Sequence, residues 1–302
     1  MNRLQANICL LCVTLCWSAE VILYACVPDG VPAFATSCVT SFAGAALLVF
    51  PFRRRVAETL RTGGRRLAAG GLLRAALSAA YNTLFLYGSK SFDVASGAFT
   101  FAMTVVVLPV VLLTMRRRVA LETWISVALV LAGIVLALGP SVRATQTTGL
   151  AVMGAGCLLR AVGIVVLADM AKKHDPIAVA VLLEAFAGVL SLAGWFAEDP
   201  RLFAGLPVSR TLVAAWALYS YFIVGFAQAL NVFAMRRVTA ANATVVYSVE
   251  IVFSLAWGSL LPAGIVERIA LSPRILLGAA LVVAGSLAEI LDVRGKRREA
   301  GT

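Results

Sequence analysis

Long apolar runs alternate with short polar breaks along the whole chain. The runs fall at about 6–27, 32–52, 67–89, 94–115, 119–139, 149–170, 176–197, 211–235, 239–261 and 272–292. Each is about twenty residues long, the length at which an α-helix rising about 1.5 Å per residue crosses the hydrocarbon core of a bilayer. The breaks carry turn chemistry: Pro28-Asp29-Gly30, Gly139-Pro140, His174-Asp175-Pro176, Asp199-Pro200 and Ser272-Pro273. Gly63-Gly64 reads as a turn and Gly70-Gly71 as a helix start. The pattern predicts an all-α integral membrane protein of ten transmembrane helices. The residues after Val293 are too polar and too few to fold, so 294–302 reads as a disordered basic cytoplasmic tail.

Composition agrees. Apolar residues make up 61% of the chain and charged residues only 14%, against about a quarter charged in a soluble domain. The net charge of +11 does not signal nucleic acid, because the basic residues cluster in the breaks between apolar runs. With a cytoplasmic N-terminus, the inside segments hold eighteen Lys and Arg and the outside segments six; Arg74 and Arg160 fall within spans. That bias puts both termini in the cytoplasm, which needs an even number of spans. Arg3 and the following apolar run imitate a signal peptide, and Leu23-Tyr24-Ala25-Cys26 resembles a lipoprotein cleavage box, but Tyr24 fits poorly there. Cleavage would also remove the first span, so none is expected. The six cysteines lie mostly inside apolar runs, with Cys9, Cys12 and Cys16 at helical spacing, and the one histidine, His174, is far from them. They read as packing residues, not metal ligands.

The chain also repeats itself. Ser41-Phe42-Ala43-Gly44 recurs as Ala185-Phe186-Ala187-Gly188, Val94 to Ala98 loosely as Ala240 to Thr244, and Ala128-Leu129-Val130-Leu131-Ala132-Gly133 as Ala280-Leu281-Val282-Val283-Ala284-Gly285. The order is kept, which divides the chain into a first five-helix repeat over 1–146 and a second over 147–293. Five is odd, so the second copy enters from the opposite side. Such inverted repeats serve alternating access in many transporters.

Leu15-Cys16-Trp17-Ser18-Ala19 in the first span, the Ala128–Gly133 segment in the fifth and Leu277-Gly278-Ala279-Ala280-Leu281-Val282-Val283-Ala284-Gly285 in the tenth resemble the drug/metabolite transporter superfamily, specifically its ten-helix EamA-like permeases. The chain departs from that pattern at several places. Pro109 lies late in the fourth span, Glu250-Ile251 stands where Glu-Pro is common, and Arg160 stands where a second tryptophan like Trp17 is usual. Glu267 matches the family's acidic residue after the ninth helix, whereas the place after the fourth holds Arg116 to Arg118. The resemblance implies a multi-pass carrier of the cytoplasmic membrane, often an exporter of metabolites or amino acids, driven by an ion gradient or by exchange. It also implies a central cavity between the halves.

Ionisable residues inside the spans are the candidate functional groups, because a charge at the bilayer centre costs at least about 2.5–3.5 kcal/mol on insertion scales. Arg160 cannot shed its proton. It is either paired structurally with Glu250 or Glu184, or it binds the carboxylate or phosphate of an anionic solute. Glu250 is either a proton carrier or the permanent partner of Arg160, and Glu184 has the same two readings with the structural one ahead. Polar residues also form helix faces: Ser78, Tyr81, Asn82 and Phe85; Tyr221, Gly225, Gln228 and Asn231; Tyr247, Glu250, Ser254 and Trp257. Lipid penalises such faces, so they should point inward, to line a cavity or to bond neighbouring helices. The expected solute-binding set is Trp17, Glu20, Tyr81, Asn82, Arg160, Gln228, Asn231 and Tyr247, with Glu250 and Glu184 for proton coupling.

No phosphate loop, Ser/His/Asp set or zinc motif is visible in the sequence, so neither catalysis nor a cofactor is expected. The function expected is secondary active transport of a small metabolite or amino-acid-like solute, by export, with uptake of an anionic metabolite as the alternative within that class. A membrane-embedded enzyme on a lipid-linked substrate and a structural subunit of an envelope complex are the alternatives of other classes. The expected partners are the lipid bilayer, the solute and a coupling ion such as the proton, with a homodimer left open and no nucleic acid. The high Ala and Arg content points to a bacterium with a GC-rich genome, and the expected location is the cytoplasmic (inner) membrane.

Overall fold

The computed structural model describes residues 1–20, 23, 26–28, 30–89, 103–138, 147–201, 204, 206–260 and 271–290, and these are helical apart from short connections. The helices are α1 (Arg3–Ser18), α2 (Ala33–Ser89), α3 (Thr104–Thr114), α4 (Leu121–Leu138), α5 (Thr147–Lys173), α6 (Pro176–Glu198), α7 (Arg210–Met235), α8 (Ala240–Leu260) and α9 (Pro273–Ile290). The predicted break at 90–93, the repeat segment 94–98, residues 139–146 and 261–270 and the tail lie outside the described residues. Among the described residues, five helical stretches are long and apolar enough to cross a membrane: Ala33–Leu84, Ala151–Lys173, Pro176–Glu198, Arg210–Met235 and Ala240–Leu260.

Local signals set the helix starts. Asn2 and Gln5 form a reciprocal capping box at α1. Asp175 accepts from the backbone N–H of Ile177 and Ala178 while Pro176 takes the first position of α6. Ser209 caps α7 and Thr239 caps α8. At the end of α3, Arg116 adopts a left-handed conformation (φ 57°), and the N–H of Arg117 reaches back to the carbonyl of Leu112.

Two connections differ from the sequence reading. The basic stretch after Pro51 is helical, not a loop, and α2 bends at Phe52 and breaks at Gly64. Gly64 has φ +51°, which a residue without a Cβ adopts freely. The helix holds through Arg53 to Gly63 because Val56 is buried against Ala178 and Val181 of α6, leaving the arginines outside. Gly70-Gly71 lies inside the helix and starts nothing. Its lack of side chains lets α6 approach, since a Cβ on Gly71 would meet Leu182 at 2.7 Å.

The core lies where α2 packs along α5 and α6, and where α1, α3 and the ends of α7 and α8 close around α5. A second apolar cluster joins α4 and α9 to the middle of α8 through Val130, Ile134, Val245, Leu255 and Val282. The outside is apolar too: Phe50, Leu121 and Leu260 are 88%, 72% and 76% exposed. Meanwhile Asn7, Thr14, Ser18, Thr36, Asn231, Asn242 and Ser286 are buried. Apolar side chains facing out and polar ones facing in suit a hydrocarbon surround, and the architecture is that of an α-helical membrane protein.

Candidate functional site

Arg160 sits in the middle of α5 and is 8% exposed. Its Nη2 lies 3.8 Å from Oε2 of Glu250, within ion-pair range but too long for a hydrogen bond, and that oxygen has no hydrogen-bond partner. The guanidinium stands over the ring of Tyr81 from α2, 5.9 Å from its centre. Glu250 owes its place to a break in α8. The helix runs as Ala240–Tyr247, turns at Ser248 and Val249, and resumes as Glu250–Leu260. Ser248 Oγ donates back to the carbonyl of Val245 at 2.6 Å and meets Ser286 of α9 at 3.2 Å, which fixes the turn. Glu250 therefore opens a new helical segment, where a negative charge is favoured by the helix dipole.

Tyr247, just before the break, donates from its hydroxyl to Oδ1 of Asn231 on α7, and its ring packs against Trp17 of α1 at 5.4 Å between centres. Trp257, after the break, donates from its indole N–H to Oγ of Ser18 at 2.9 Å. Glu20, just past the end of α1, accepts from the hydroxyl of Tyr219 on α7. Glu20, Tyr81 and Glu250 all lie within electrostatic reach of Arg160. The elements α1, α2, α5, α7 and α8 thus each bring a polar or charged group to one place.

Glu184 of α6 stands to one side, accepting from the hydroxyl of Ser41 at 3.0 Å. Between it and the first group is Arg74 of α2. Arg74 donates from Nη1 to Ser78, and its Nε is buried without a hydrogen-bond partner. It is within electrostatic reach of Glu184, Tyr81, Tyr247 and Arg160.

Of the residues expected from the sequence, Trp17, Glu20, Tyr81, Arg160, Asn231, Tyr247 and Glu250 are brought together, with Glu184 adjoining through Arg74. Gln228 is half-buried and makes no side-chain hydrogen bond to a described residue, and Asn82 is exposed. The Tyr221 face does not hold as drawn, because Tyr221 is 57% exposed. The stretch Tyr219–Ala227 is a π-helix, whose i→i+5 bonding winds more residues into each turn and displaces a face counted at α-helical spacing. Tyr219 and Ser220 are turned inward instead, with Ser220 buried. The side chain of Phe85 and residue Glu267 lie outside the described residues. Tyr219, Ser18, Ser41 and Arg74 are the additions that the structure makes to the site.

The remaining polar features lie elsewhere. A surface depression of about 480 Å³ lined by Val208, Ser209, Arg210, Val213, Ala214 and Ala217 lies at the start of α7 and touches none of the buried charges. Arg55 pairs with Asp175 at 2.6 Å, and Arg117 grips Asp169 with two hydrogen bonds of 2.9 and 2.6 Å, both in exposed positions. That carboxylate raises Arg117 above the usual arginine value. Among the described residues, no group of three or more His, Cys, Asp or Glu is arranged to hold a metal ion.

The chain matches no family model and no curated protein. A protein of known crystal structure superposes on it with a TM-score of 0.73, over 96% of this chain and 98% of its own length, at 18% sequence identity. At that identity the likeness is one of fold.

Proposed function

We propose that the chain is a secondary carrier that moves a small solute across the cytoplasmic membrane by alternating access, with the Arg160–Glu250 cluster as its central site. One observation carries the reading. A buried arginine and two carboxylates, Glu20 and Glu250, with Trp17, Tyr81 and Tyr247, converge from four helices inside an otherwise apolar bundle, and Glu184 adjoins them through Arg74. Lipid-immersed helices tolerate such charges where they face a solute path or one another. The loose ion pair favours the first use, since a purely structural buried pair is held by close, fully satisfied hydrogen bonds.

The ten-span, inverted-repeat topology belongs to the same proposal. Gly133 and Gly285 are equivalent in the repeat alignment, and by the same offset so are Ser126 and Gly278. A Cβ on Gly133 would meet the carbonyl of Gly278 at 2.5 Å, and one on Gly285 that of Ser126 at 2.8 Å. One contact is thus the other with the partners exchanged, as a two-fold relation between the halves requires. Both termini then face the cytoplasm, and Glu250 and Glu184 are the groups placed to couple solute movement to a proton. Export of a metabolite or amino-acid-like solute is the leading direction. Uptake of an anionic metabolite is the second reading, favoured by the buried guanidinium of Arg160.

The test is counterflow in proteoliposomes with a metabolite panel of anionic, zwitterionic and cationic solutes. Wild type should exchange at least one class, and Arg160→Ala and Glu250→Gln should slow that exchange by at least tenfold. If no solute moves, or if both variants exchange as wild type does, the reading fails.

A further inference from the structure

We propose that the outer face of the helical segment from Arg53 to Gly63 is a docking surface for anionic phospholipid, with its arginines on the phosphate headgroup and the acyl chains along Leu47 and Phe50. The inference goes beyond the carrier reading and does not depend on it.

The segment lies between two interruptions of α2, the bend at Phe52 and the left-handed Gly64. Val56 pins it to α6 by packing against Ala178 and Val181. That buried residue fixes which face is left outside. Arg53, Arg54 and Arg61 on the segment, and Arg65 and Arg66 just past it, are all exposed. None of the five forms an ion pair or side-chain hydrogen bond with a described residue. Arg55 is the exception, held by Asp175 at 2.6 Å. Glu58 is the one acidic residue between Pro51 and Arg66. The acidic groups at the adjoining ends of α5 and α6, Asp169 and Asp175, are already taken by Arg117 and Arg55. Lys172 and Lys173, exposed at the end of α5, add charge of the same sign. Positive charge is therefore concentrated here without matching negative charge among the described residues.

The neighbouring surface distinguishes a lipid from a free phosphate. On the span leading into the segment, Leu47 and Phe50 are 46% and 88% exposed. Arg53 and Arg54 follow Phe50 at i+3 and i+4, the spacing of one helix face, and are exposed as well. Apolar surface thus passes directly into basic surface. A soluble phosphate compound would meet only the basic part. A phospholipid meets both: its chains lie against Leu47 and Phe50, and its phosphate oxygens accept the parallel N–H bonds of a guanidinium. Clusters of about four to eight basic residues beside a span attract anionic headgroups in this way, and a neutral zwitterionic headgroup supplies no such attraction.

The test is a titration of purified full-length protein in a neutral detergent with phosphatidylglycerol, with phosphatidylcholine of the same chains, and with glycerol 3-phosphate. Binding is read from the rise in melting temperature and from lipid retained in native mass spectrometry. Phosphatidylglycerol should bind at least tenfold more tightly than either of the others, and less tightly as salt is raised. The triple variant Arg53→Gln, Arg54→Gln and Arg61→Gln should weaken it at least tenfold. A triple variant with the same loss of charge elsewhere, Arg118→Gln, Arg236→Gln and Arg237→Gln, should stay within about threefold of wild type. Phe50→Ala should weaken phosphatidylglycerol about threefold and leave the response to glycerol 3-phosphate unchanged; it tests the surface independently if the first triple variant does not fold. Equal losses in the two triple variants would show that lipid senses net charge alone and would overturn the proposal. So would phosphatidylcholine binding as tightly as phosphatidylglycerol. Glycerol 3-phosphate binding as tightly would make this a site for a soluble phosphate and overturn the lipid. None of these results bears on solute exchange, so the carrier reading stands or falls separately.

Discussion

Gly133 on α4 and Gly278 on α9 face each other so closely that a methyl group on either would sit 2.5 or 2.6 Å from the other's carbonyl oxygen. Contacts between small residues let helix backbones approach where lipid supplies no hydrophobic drive for association. Gly133→Ala and Gly278→Ala should each destabilise by about 1–3 kcal/mol, because the obstacle is backbone and cannot swing away. Gly154→Ala, with open space around its Cβ, should be neutral or slightly stabilising. Melting temperatures of the purified variants check this, and an unchanged Gly133→Ala would show that the α4–α9 contact is looser than described.

The pairing of Arg160 with Glu250 predicts non-additive losses. Removing one member of a buried pair leaves the other uncompensated, at about 3–5 kcal/mol for a fully buried pair. The loss should be smaller here, because Glu250 is 22% exposed in its side chain and the charges are 3.8 Å apart. Arg160→Gln and Glu250→Gln should each lower stability, and the double variant should lose less than the sum. A thermal-stability double-mutant cycle measures the coupling. Strict additivity would mean that the two charges do not depend on each other.

Tyr219 donates its hydroxyl to Glu20 and holds that carboxylate toward the cluster. Tyr219→Phe removes the bond but keeps the ring, so stability should fall by only about 1–2 kcal/mol. Solute exchange should fall more steeply if Glu20 must be held in place. Parallel melting and counterflow measurements separate these effects, and equal losses in the two would assign Tyr219 to packing.

Two exposed ion pairs, Arg55–Asp175 and Arg117–Asp169, join the segment before residue 146 to the segment after it. Each alone should contribute no more than about 1 kcal/mol. Removing both arginines, or raising the salt concentration, should speed amide hydrogen exchange around His174 to Ala178, since Asp175 also caps α6. Exchange that ignores both changes would make the pairs incidental.

The helical plan was legible because lipid enforces a simple rule: about twenty apolar residues, then a turn. The site was legible for a related reason. Arg160, Glu250 and Tyr247 are conspicuous in apolar helices, and the structure brings them together. Arg74 falls within the third span but was not singled out as a candidate, because it sits near the start of that span, only eight residues past the basic Arg65-Arg66. Tyr219 was missed because helix faces were counted at 3.6 residues per turn, a period that fails within Tyr219–Ala227. The continuous helix through Arg53 to Gly63 was missed because its one buried residue, Val56, finds its partners on α6, far away in sequence.

The π-helical stretch has a consequence of phase. Over its nine residues an α-helix would complete about two and a half turns, whereas i→i+5 winding completes about two. Asn231, which holds Tyr247, is therefore clocked about half a turn from where an unbroken α-helix would present it. Removing a residue between Tyr219 and Ala227 would act on this protein as a rotation: it would turn the part of the helix that carries Asn231 about its axis, like a key in a lock, and take Asn231 away from Tyr247.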